Sequence, residues 1–325
     1  MPTPTAGDVH VNRPLTNISV AYVQDADSFI ADQVFPNIPV MKQSDLYFTY
    51  SRDDFYRAEA QDRAPGTESA GGGYNIDHAG TYFAKVKALH KDIDDQVRQN
   101  ADVPLDMDRD ATIYLTQQLL LKREIDWAGK YFTTGVFTGD QTGVASAPST
   151  NQFLQFDAAS SAPVTTLRAG ITAIKARTGY KPNVLTLGFQ VWQVLADHPD
   201  LLDRIKYTQK ASVGPDLLAT LLGLDKVCIA EAVQNTANEG QTGTYSFIEG
   251  KSMLLTYSTP RPGVLEPTAG YTYSWTGMSG AGPAGQRIKS FRMEWLEADR
   301  VEGEMAYDFG LVSADLGQFY ASAVS

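Results

Sequence analysis

The alternation of hydrophobic and polar positions predicts one long helix over residues 107–134. An apolar stripe runs through this segment in alternating four- and three-residue steps, which is the spacing of one helical face. Asp106 is placed to cap the first turn, and Gly135 is placed to end the helix. Leu115 and Leu119 lie off the stripe, so we expect the helix to be covered on more than one side. The stripe consists of Met107, Ala111, Tyr114, Gln118, Leu121, Ile125, Ala128 and Phe132.

The chain before this helix alternates extended and turn-forming stretches. Residues 1–45 contain five prolines and are interpreted as an N-terminal arm. Its apolar side must dock either on the body of its own chain or on a neighbouring copy. Residues 46–84 contain a strand-like run at each end and three consecutive glycines, Gly71 to Gly73, near the middle. This pattern predicts a long β-hairpin with a flexible tip.

The chain after the helix changes character twice. Residues 135–165 are rich in Gly, Ser, Ala and Thr and predict an exposed connection, whereas residues 166–240 interleave short helices with buried strands. Residues 241–325 are dominated by strand-like runs. An α+β fold with a central sheet is therefore expected. The predicted helices of the middle segment are 164–178, 189–196, 199–205 and 215–222, and its predicted strands are 184–188 and 226–231.

Composition narrows the functional classes. Hydrophobic residues make up 43% and charged residues 20% of the 325 residues, as in an ordinary globular protein. The net charge of −11 argues against a protein whose main task is to wrap nucleic acid, because that task needs a basic surface. Cys228 is the single cysteine, so no internal disulfide can form, and a reducing compartment is expected. The first residues lack the apolar core of a signal peptide, and no run approaches the roughly 20 apolar residues of a membrane span.

Motifs that would indicate an enzyme or a metal site are incomplete. The G-x-G-x-x-G match at residues 280–285 contains Pro283 and opens no helix, so a turn is expected there. The acidic start of the long helix lacks the glycine and glutamate of a calcium loop. The segment from His90 to Asp95 is expected to be an exposed polar segment at an interface rather than a metal site. We therefore expect no catalytic residues, no metal and no cofactor. The remaining histidines, His10, His78 and His198, show no zinc spacing.

Three segments resemble the Hong Kong 97-type major capsid proteins of tailed bacteriophages. They are residues 29–40 (FIADQVFPNIPV), 94–102 (DDQVRQNAD) and 123–128 (REIDWA), and they occur within the same order of parts. The resemblance implies a Hong Kong 97-type capsid fold with five divisions. These are an N-terminal arm (1–45), an extended loop (46–84), a peripheral domain (85–165) with spine helix 107–134, an axial domain (166–240) and a β-rich segment (241–325) that returns to both domains.

The resemblance also implies a function. The chain would be a structural subunit that self-assembles into hexamers and pentamers of an icosahedral head enclosing double-stranded DNA, without sequence-specific DNA binding. Its partners would be other copies of itself and a portal, with a separate scaffold or decoration protein left open. The site of action would be the virion, assembled in the host cytoplasm, with no membrane involved. Other hypotheses are a tail or decoration component, or a hydrolase housed in residues 166–240.

The arm and the hairpin supply the candidate interface. A slender hairpin and a proline-rich arm cannot bury aromatic side chains by themselves, so neighbouring copies are expected to cover them. A solvated hairpin face is the alternative for the charges of the tip. No lysine lies between Lys42 and Lys85, so the isopeptide crosslink that some members form from a loop lysine is not expected. The candidate intersubunit residues are Phe29, Phe35, Tyr47, Phe48, Tyr50, Arg52, Asp53, Asp54, Arg57, Glu59, Asp62, Arg63 and Glu68.

Overall fold

A computed structural model of the chain describes residues 24–50, 52–101, 105–205, 214–263 and 266–325. The first elements are α1 (Ala31–Val34), β1 (Asn37–Val40), β2 (Ser44–Tyr50), α2 (Arg52–Phe55), β3 (Ile76–Phe83), β4 (Lys85–Asp94), α3 (Asp95–Asn100) and α4 (Met107–Tyr131). The middle elements are β5 (Gln141–Val144), β6 (Gln152–Leu154), α5 (Pro163–Thr178), β7 (Val184–Gly188), α6 (Phe189–Ala196), α7 (Pro199–Ile205), α8 (Pro215–Leu222) and β8 (Lys226–Ala230). The last elements are β9 (Val233–Asn235), β10 (Tyr245–Phe247), β11 (Met253–Thr256), β12 (Gly270–Trp275), β13 (Gln286–Met293), β14 (Ala298–Leu311) and β15 (Gly317–Ala321).

Strand β14 is the centre of a five-stranded sheet. The whole of β4 pairs with one edge of β14. β13 and β12 pair with the other edge, and all three pairings are antiparallel. β1 adds to β12 in parallel, so part of the arm belongs to this sheet. The polar segment from His90 to Asp95 forms the end of β4 and the start of α3, and His90 is half-buried where it pairs with Glu302. Its place at an interface stays a prediction.

Helix α4 packs along a different line from the predicted stripe. It ends at Tyr131, three residues before the predicted end, and Tyr114 of the predicted stripe is 48% exposed. Each four-residue step goes about 40° beyond a full turn, so the buried line winds around the helix. The line starts between β4 and β14 and ends in the core shared with β11 and β15. Its residues are Ala111, Leu115, Leu119, Arg123, Trp127 and Tyr131.

The close approach of α4 to β14 explains the glycine in the middle of that strand. A Cβ atom at position 303 would lie 3.0 Å from Cδ1 of Leu119 and 3.4 Å from Cβ of Leu115. Leu115 is fully buried, with Ile93 and Val301 beside it. A larger residue at position 303 would therefore push the helix away from the sheet.

A six-stranded sheet with the order β6-β5-β15-β11-β7-β8 forms the second layer. Leu167 and Ile174 of α5 pack in the same core as β7 and β11. Strands β5 and β6 arise from the segment that was expected to be an exposed connection. That expectation is wrong, because Phe153 and Phe156 are 5% and 1% exposed. β5 pairs with β6 on one side and on the other with β15, which lies far along the chain, and composition carries no signal for such a contact.

The predicted hairpin is present. β2 pairs antiparallel with β3, from Ser44 opposite Phe83 to Tyr50 opposite Ile76, with an irregularity between Tyr47 and Thr49. Within the described ranges these two strands pair only with each other, and α2 and the residues up to 75 form the tip. The hairpin is therefore a two-stranded element separate from the two larger sheets, and its tip contacts the body through Arg52, which pairs with Asp315, and Tyr56, which donates to the Thr178 carbonyl.

Candidate intersubunit surface

The described part of the arm is folded onto its own chain. Phe35 is 1% exposed and packs against Trp127 and Tyr131 of α4, with ring centroids 6.3 and 4.7 Å apart. Phe29 is also buried. The expectation that Phe29 and Phe35 are covered by a neighbouring copy is therefore wrong. The apolar pattern of the arm indicated that it docks, but it could not distinguish the chain's own helix from that of a neighbour.

A buried carboxylate holds the arm in place. Glu124 of α4 is fully buried and accepts hydrogen bonds from the backbone N–H groups of Ile30 (3.1 Å) and Ala31 (2.9 Å). The first N–H groups of a helix lack partners within it, and α1 has no capping side chain of its own. Glu124 therefore serves as the cap of α1. The adjacent Arg123, also buried, forms an ion pair with Asp32 of the arm.

A second carboxyl group, that of Glu249, is buried next to Glu124. Burial and the neighbouring negative charge raise the pKa of Glu249 to about 10, and burial also raises the pKa of Glu124. At neutral pH the pair therefore retains one proton that the two carboxyl groups share. Arg123, Glu124 and Glu249 were not predicted from the sequence as part of a site. A charged residue in a helix is ordinarily exposed. The sequence around it does not indicate that distant residues of the chain bury it and bind it.

The hairpin carries aromatic side chains into solvent. Phe48 is 64% exposed, Phe55 56% and Tyr74 61%. Tyr50 joins Phe55 and Tyr74 in a cluster with ring centroids 6.1, 6.0 and 5.6 Å apart. Exposed apolar clusters are typical of interaction surfaces.

The base of the hairpin is anchored on the body. The ring of Tyr47 stacks on Tyr273 at 5.8 Å, and its hydroxyl donates to the carbonyl of Leu311 at 3.1 Å. Tyr47 therefore contributes to the contact of the hairpin with its own chain. Between the hairpin and the body lies a cleft of about 440 Å³, whose lining includes Phe48 and Tyr180.

The predicted charges of the hairpin tip divide into paired and unpaired groups. Pairs at an exposed surface contribute little to stability. Asp53, Asp62 and Glu68 are exposed, and neither Asp62 nor Glu68 has an ion-pair partner among the residues that the structure describes. The partners of the others are Asp315 for Arg52 (2.5 Å), Asn75 for Asp54 (2.9 Å), Glu59 for Arg57 (3.9 Å) and the Thr67 carbonyl for Arg63.

The sequence and the fold both have relatives among phage proteins, although no protein-family model matches the chain. The chain is 24% identical over 269 residues to the major capsid protein of Burkholderia phage BcepMu, which covers 81% of this chain and 82% of that protein. It is similar, with a TM-score of 0.68 and 20% identity, to a phage-related protein from Bordetella bronchiseptica RB50, over 92% of this chain and 93% of that one. The capsid protein of cyanophage P-SCSP1u matches with a TM-score of 0.64 and 9% identity, over 100% and 96% of the two chains.

This chain is a relative of the tailed-phage major capsid proteins. It has their Hong Kong 97-type fold, so the predicted resemblance and the predicted fold are confirmed. In this capsid fold the sequence parts appear in the predicted order: an arm, a hairpin, a long helix and two sheets.

A buried Ser–His pair bears on the hydrolase hypothesis. The Ser161 Oγ lies 2.9 Å from His198 Nε2. His198 Nδ1 accepts the backbone N–H of Asp200 at 3.1 Å, so the ring proton is on Nε2 and the histidine donates to the serine. A histidine that activates a serine has to accept the serine proton instead. The pair therefore orders the start of α7 and does not generate a nucleophile.

The other candidate motifs are also structural. Gly280 and Gly285 adopt positive φ angles of 80° and 67° in the turn between β12 and β13. Asp106 caps α4 by accepting the N–H of Arg109 at 3.2 Å. Across the described ranges, no group of three or more His, Cys, Asp or Glu side chains is arranged to hold a metal ion. None of the described helices has both the length and the apolar character that crossing a bilayer requires.

Proposed function

We propose that this chain is the repeating shell subunit of a phage head, assembling into hexamers and pentamers of an icosahedral capsid that encloses double-stranded DNA. The exposed aromatic hairpin carries this proposal. The described arm residues dock on their own body, whereas the hairpin has an apolar surface, at Phe48, Phe55 and Tyr74, that is left uncovered. A hairpin that lies on the body of the next copy makes a head-to-tail contact, and such contacts close into rings.

The two sheets correspond to two proposed domains. The five-stranded sheet with α4 would be the peripheral domain, and the six-stranded sheet with α5 to α8 would be the axial domain. The β-rich residues 241–325 contribute strands to both. The cleft beside Phe48 and the unpaired carboxylates Asp62 and Glu68 would then face a neighbouring subunit and set its position.

Other copies of the chain are the main proposed partners, with a portal at one position of the shell. Assembly in the host cytoplasm and a purely structural, non-enzymatic role complete the proposal, which leaves the need for a separate scaffold or decoration protein open. The shell would hold without covalent crosslinks, because residues 43–84 contain no lysine. A ladder of crosslinked chains on a denaturing gel of mature particles would contradict this.

Electron microscopy of the expressed chain tests the proposal. The wild type should form capsomers or shells of uniform diameter in negative stain, whereas Phe48→Ser should remain folded and fail to assemble. Tyr245→Ser is the matched control, because Tyr245 is 74% exposed on β10, outside the hairpin, and this variant should assemble normally. A wild type that stays a monomer would overturn the proposed function. Normal shells from Phe48→Ser would overturn only the role of the hairpin.

A further inference from the structure

A groove of about 480 Å³ between β4 and the C-terminal half of α4 gathers positive charge. Lys85 and Lys87 come from β4, and Lys122 and Lys130 come from α4; these four residues are called the lysine seam. Two carboxylates, Asp126 and Asp308, share the lining, so the groove holds four cations against two anions. For a chain with a net charge of −11, this is a local reversal of sign.

The two carboxylates leave half of the lysine seam without a partner. Asp126 lies 2.8 Å from the amine of Lys122 and 3.5 Å from that of Lys87. The Asp308 carboxylate accepts the backbone N–H groups of Phe83 and Phe309, so it is engaged by the main chain. Lys85 and Lys130 are exposed, and neither has a carboxylate partner within the ranges that the structure covers.

Cations on the opposite face of the same sheet are neutralised within the chain. Lys87 is opposite Met305, which is buried in the core with α4, so Lys87 lies on the α4 face of the sheet. Successive side chains of a strand point to opposite faces, so the neighbouring positions lie on the other face. On the face away from α4, Arg300 pairs with Asp92 at 2.7 Å, and Lys289 pairs with Glu304 at 2.9 Å. These cations are therefore paired within the chain, whereas Lys85 and Lys130 of the lysine seam remain available to an external anion.

We propose that the lysine seam binds the phosphodiester backbone of the nucleic acid that the shell encloses, and that this face of the subunit points to the interior. This inference rests on the proposed function. Lys122 and Lys130 are separated by eight residues, or roughly 12 Å along the helix, and a duplex carries one charge per about 1.7 Å of its axis. Lysines act as point charges toward phosphate, so the contact would not depend on base sequence. A Cβ atom at Gly129, in the same lining, would meet nothing within 4 Å, so the groove is open there.

The test is the salt dependence of DNA binding by the full chain. Fluorescence anisotropy of a labelled 20-bp duplex would be measured between 50 and 200 mM NaCl for the wild type, for the double variant Lys85→Gln/Lys130→Gln and for a control, Lys175→Gln/Lys251→Gln. The control removes the same charge at two exposed lysines outside the seam. The slope of log K against log salt changes by about 0.9 for each phosphate contact. We therefore expect the magnitude of the slope to be smaller by about 2 in the seam variant, and its affinity at 100 mM salt to be roughly ten- to a hundredfold weaker than that of the wild type. The control variant should match the wild type.

Three outcomes would overturn the lysine seam as a nucleic-acid contact. They are equal slopes for wild type and seam variant, an equal loss in the control variant, and displacement of the duplex by polyglutamate at the same charge concentration, which would indicate an acidic protein segment as the occupant. Shell formation by the same proteins in negative stain separates this inference from the proposed function. Normal shells with an unchanged slope refute only the seam, whereas a wild type that forms no shells refutes the function.

Discussion

Replacing Glu249 with Gln should remove a large part of the sensitivity of the folded subunit to alkaline pH. The ordinary pKa of this carboxyl is 4.5, and burial beside Glu124 raises it to about 10 in the folded chain. The folded state thus holds a proton that the unfolded chain releases. The corresponding stability is fully present below pH 4.5 and is lost progressively as the pH rises toward the folded pKa. Glutamine is neutral throughout this range, and its amide can donate to Glu124 in the same position.

The size of the effect follows from proton linkage. One proton costs about 1.4 kcal/mol of folding free energy for each pH unit between the two pKa values. From pH 5.5 to pH 8.5 the wild type should therefore lose up to about 4 kcal/mol through this site. Since single domains are stable by about 5–15 kcal/mol, this loss is large enough to measure directly.

Urea unfolding of the dissociated subunit at pH 5.5, 7.0 and 8.5 gives the comparison. The free energy of unfolding of the wild type should fall across this series, and that of Glu249→Gln should fall much less, so that the variant becomes the more stable protein at pH 8.5. Glu231→Gln, at an exposed position, is the control and should follow the wild type. Parallel curves for wild type and Glu249→Gln would show that Glu249 is ionised in the folded state, and the shared-proton account of the arm junction would be wrong.

Three further predictions concern the arm, the spine helix and the buried histidine. Phe35→Ala should lower the free energy of unfolding, measured in urea, by about 3–5 kcal/mol, because Phe35 is buried. Phe48→Ala, at an exposed position, should change it by less than about 0.5 kcal/mol. Equal losses in the two variants would contradict the docking of the arm on its own chain. Asp106→Ala removes the cap of α4 and should cost about 0.5–2 kcal/mol, measured by the shift in thermal unfolding, and an unchanged midpoint would argue against the cap. Burial lowers the pKa of His198 below 6.5, so stability should be full above that pH and fall on acidification to pH 5; His198→Gln should flatten this decline, and a parallel decline would refute the assignment.

Local signals explain which parts of the fold could be predicted. The bounds of β7, α6, α7 and α8 agree with the sequence prediction, because each is marked by nearby residues. Pro215 opens α8, and Gly223, with a φ of 65°, ends it. The hairpin was predicted in the same way, from two β-prone runs around glycine-rich turns.

The parts that were not predicted depend on contacts between distant segments. Strand β5 exists because β15 pairs with it, and β1 exists because β12 pairs with it. Phe35 and Glu124 are buried because the arm docks on α4. The sequence around either residue does not indicate this contact. Hydrophobic periodicity therefore located the helix but misplaced its buried line, since Arg123 and Glu124 are buried with polar partners supplied by the arm.

The winding contact line of α4 has a consequence for how such a subunit can change in length. Inserting one residue in the middle of the helix would rotate everything after it by about 100°, and would turn Trp127 and Tyr131 away from the core between the sheets. The number of residues in the helix is therefore fixed by the two layers that it joins. Gene variants with longer or shorter subunits are therefore expected to differ in the surface loops, with the residue count of this helix unchanged.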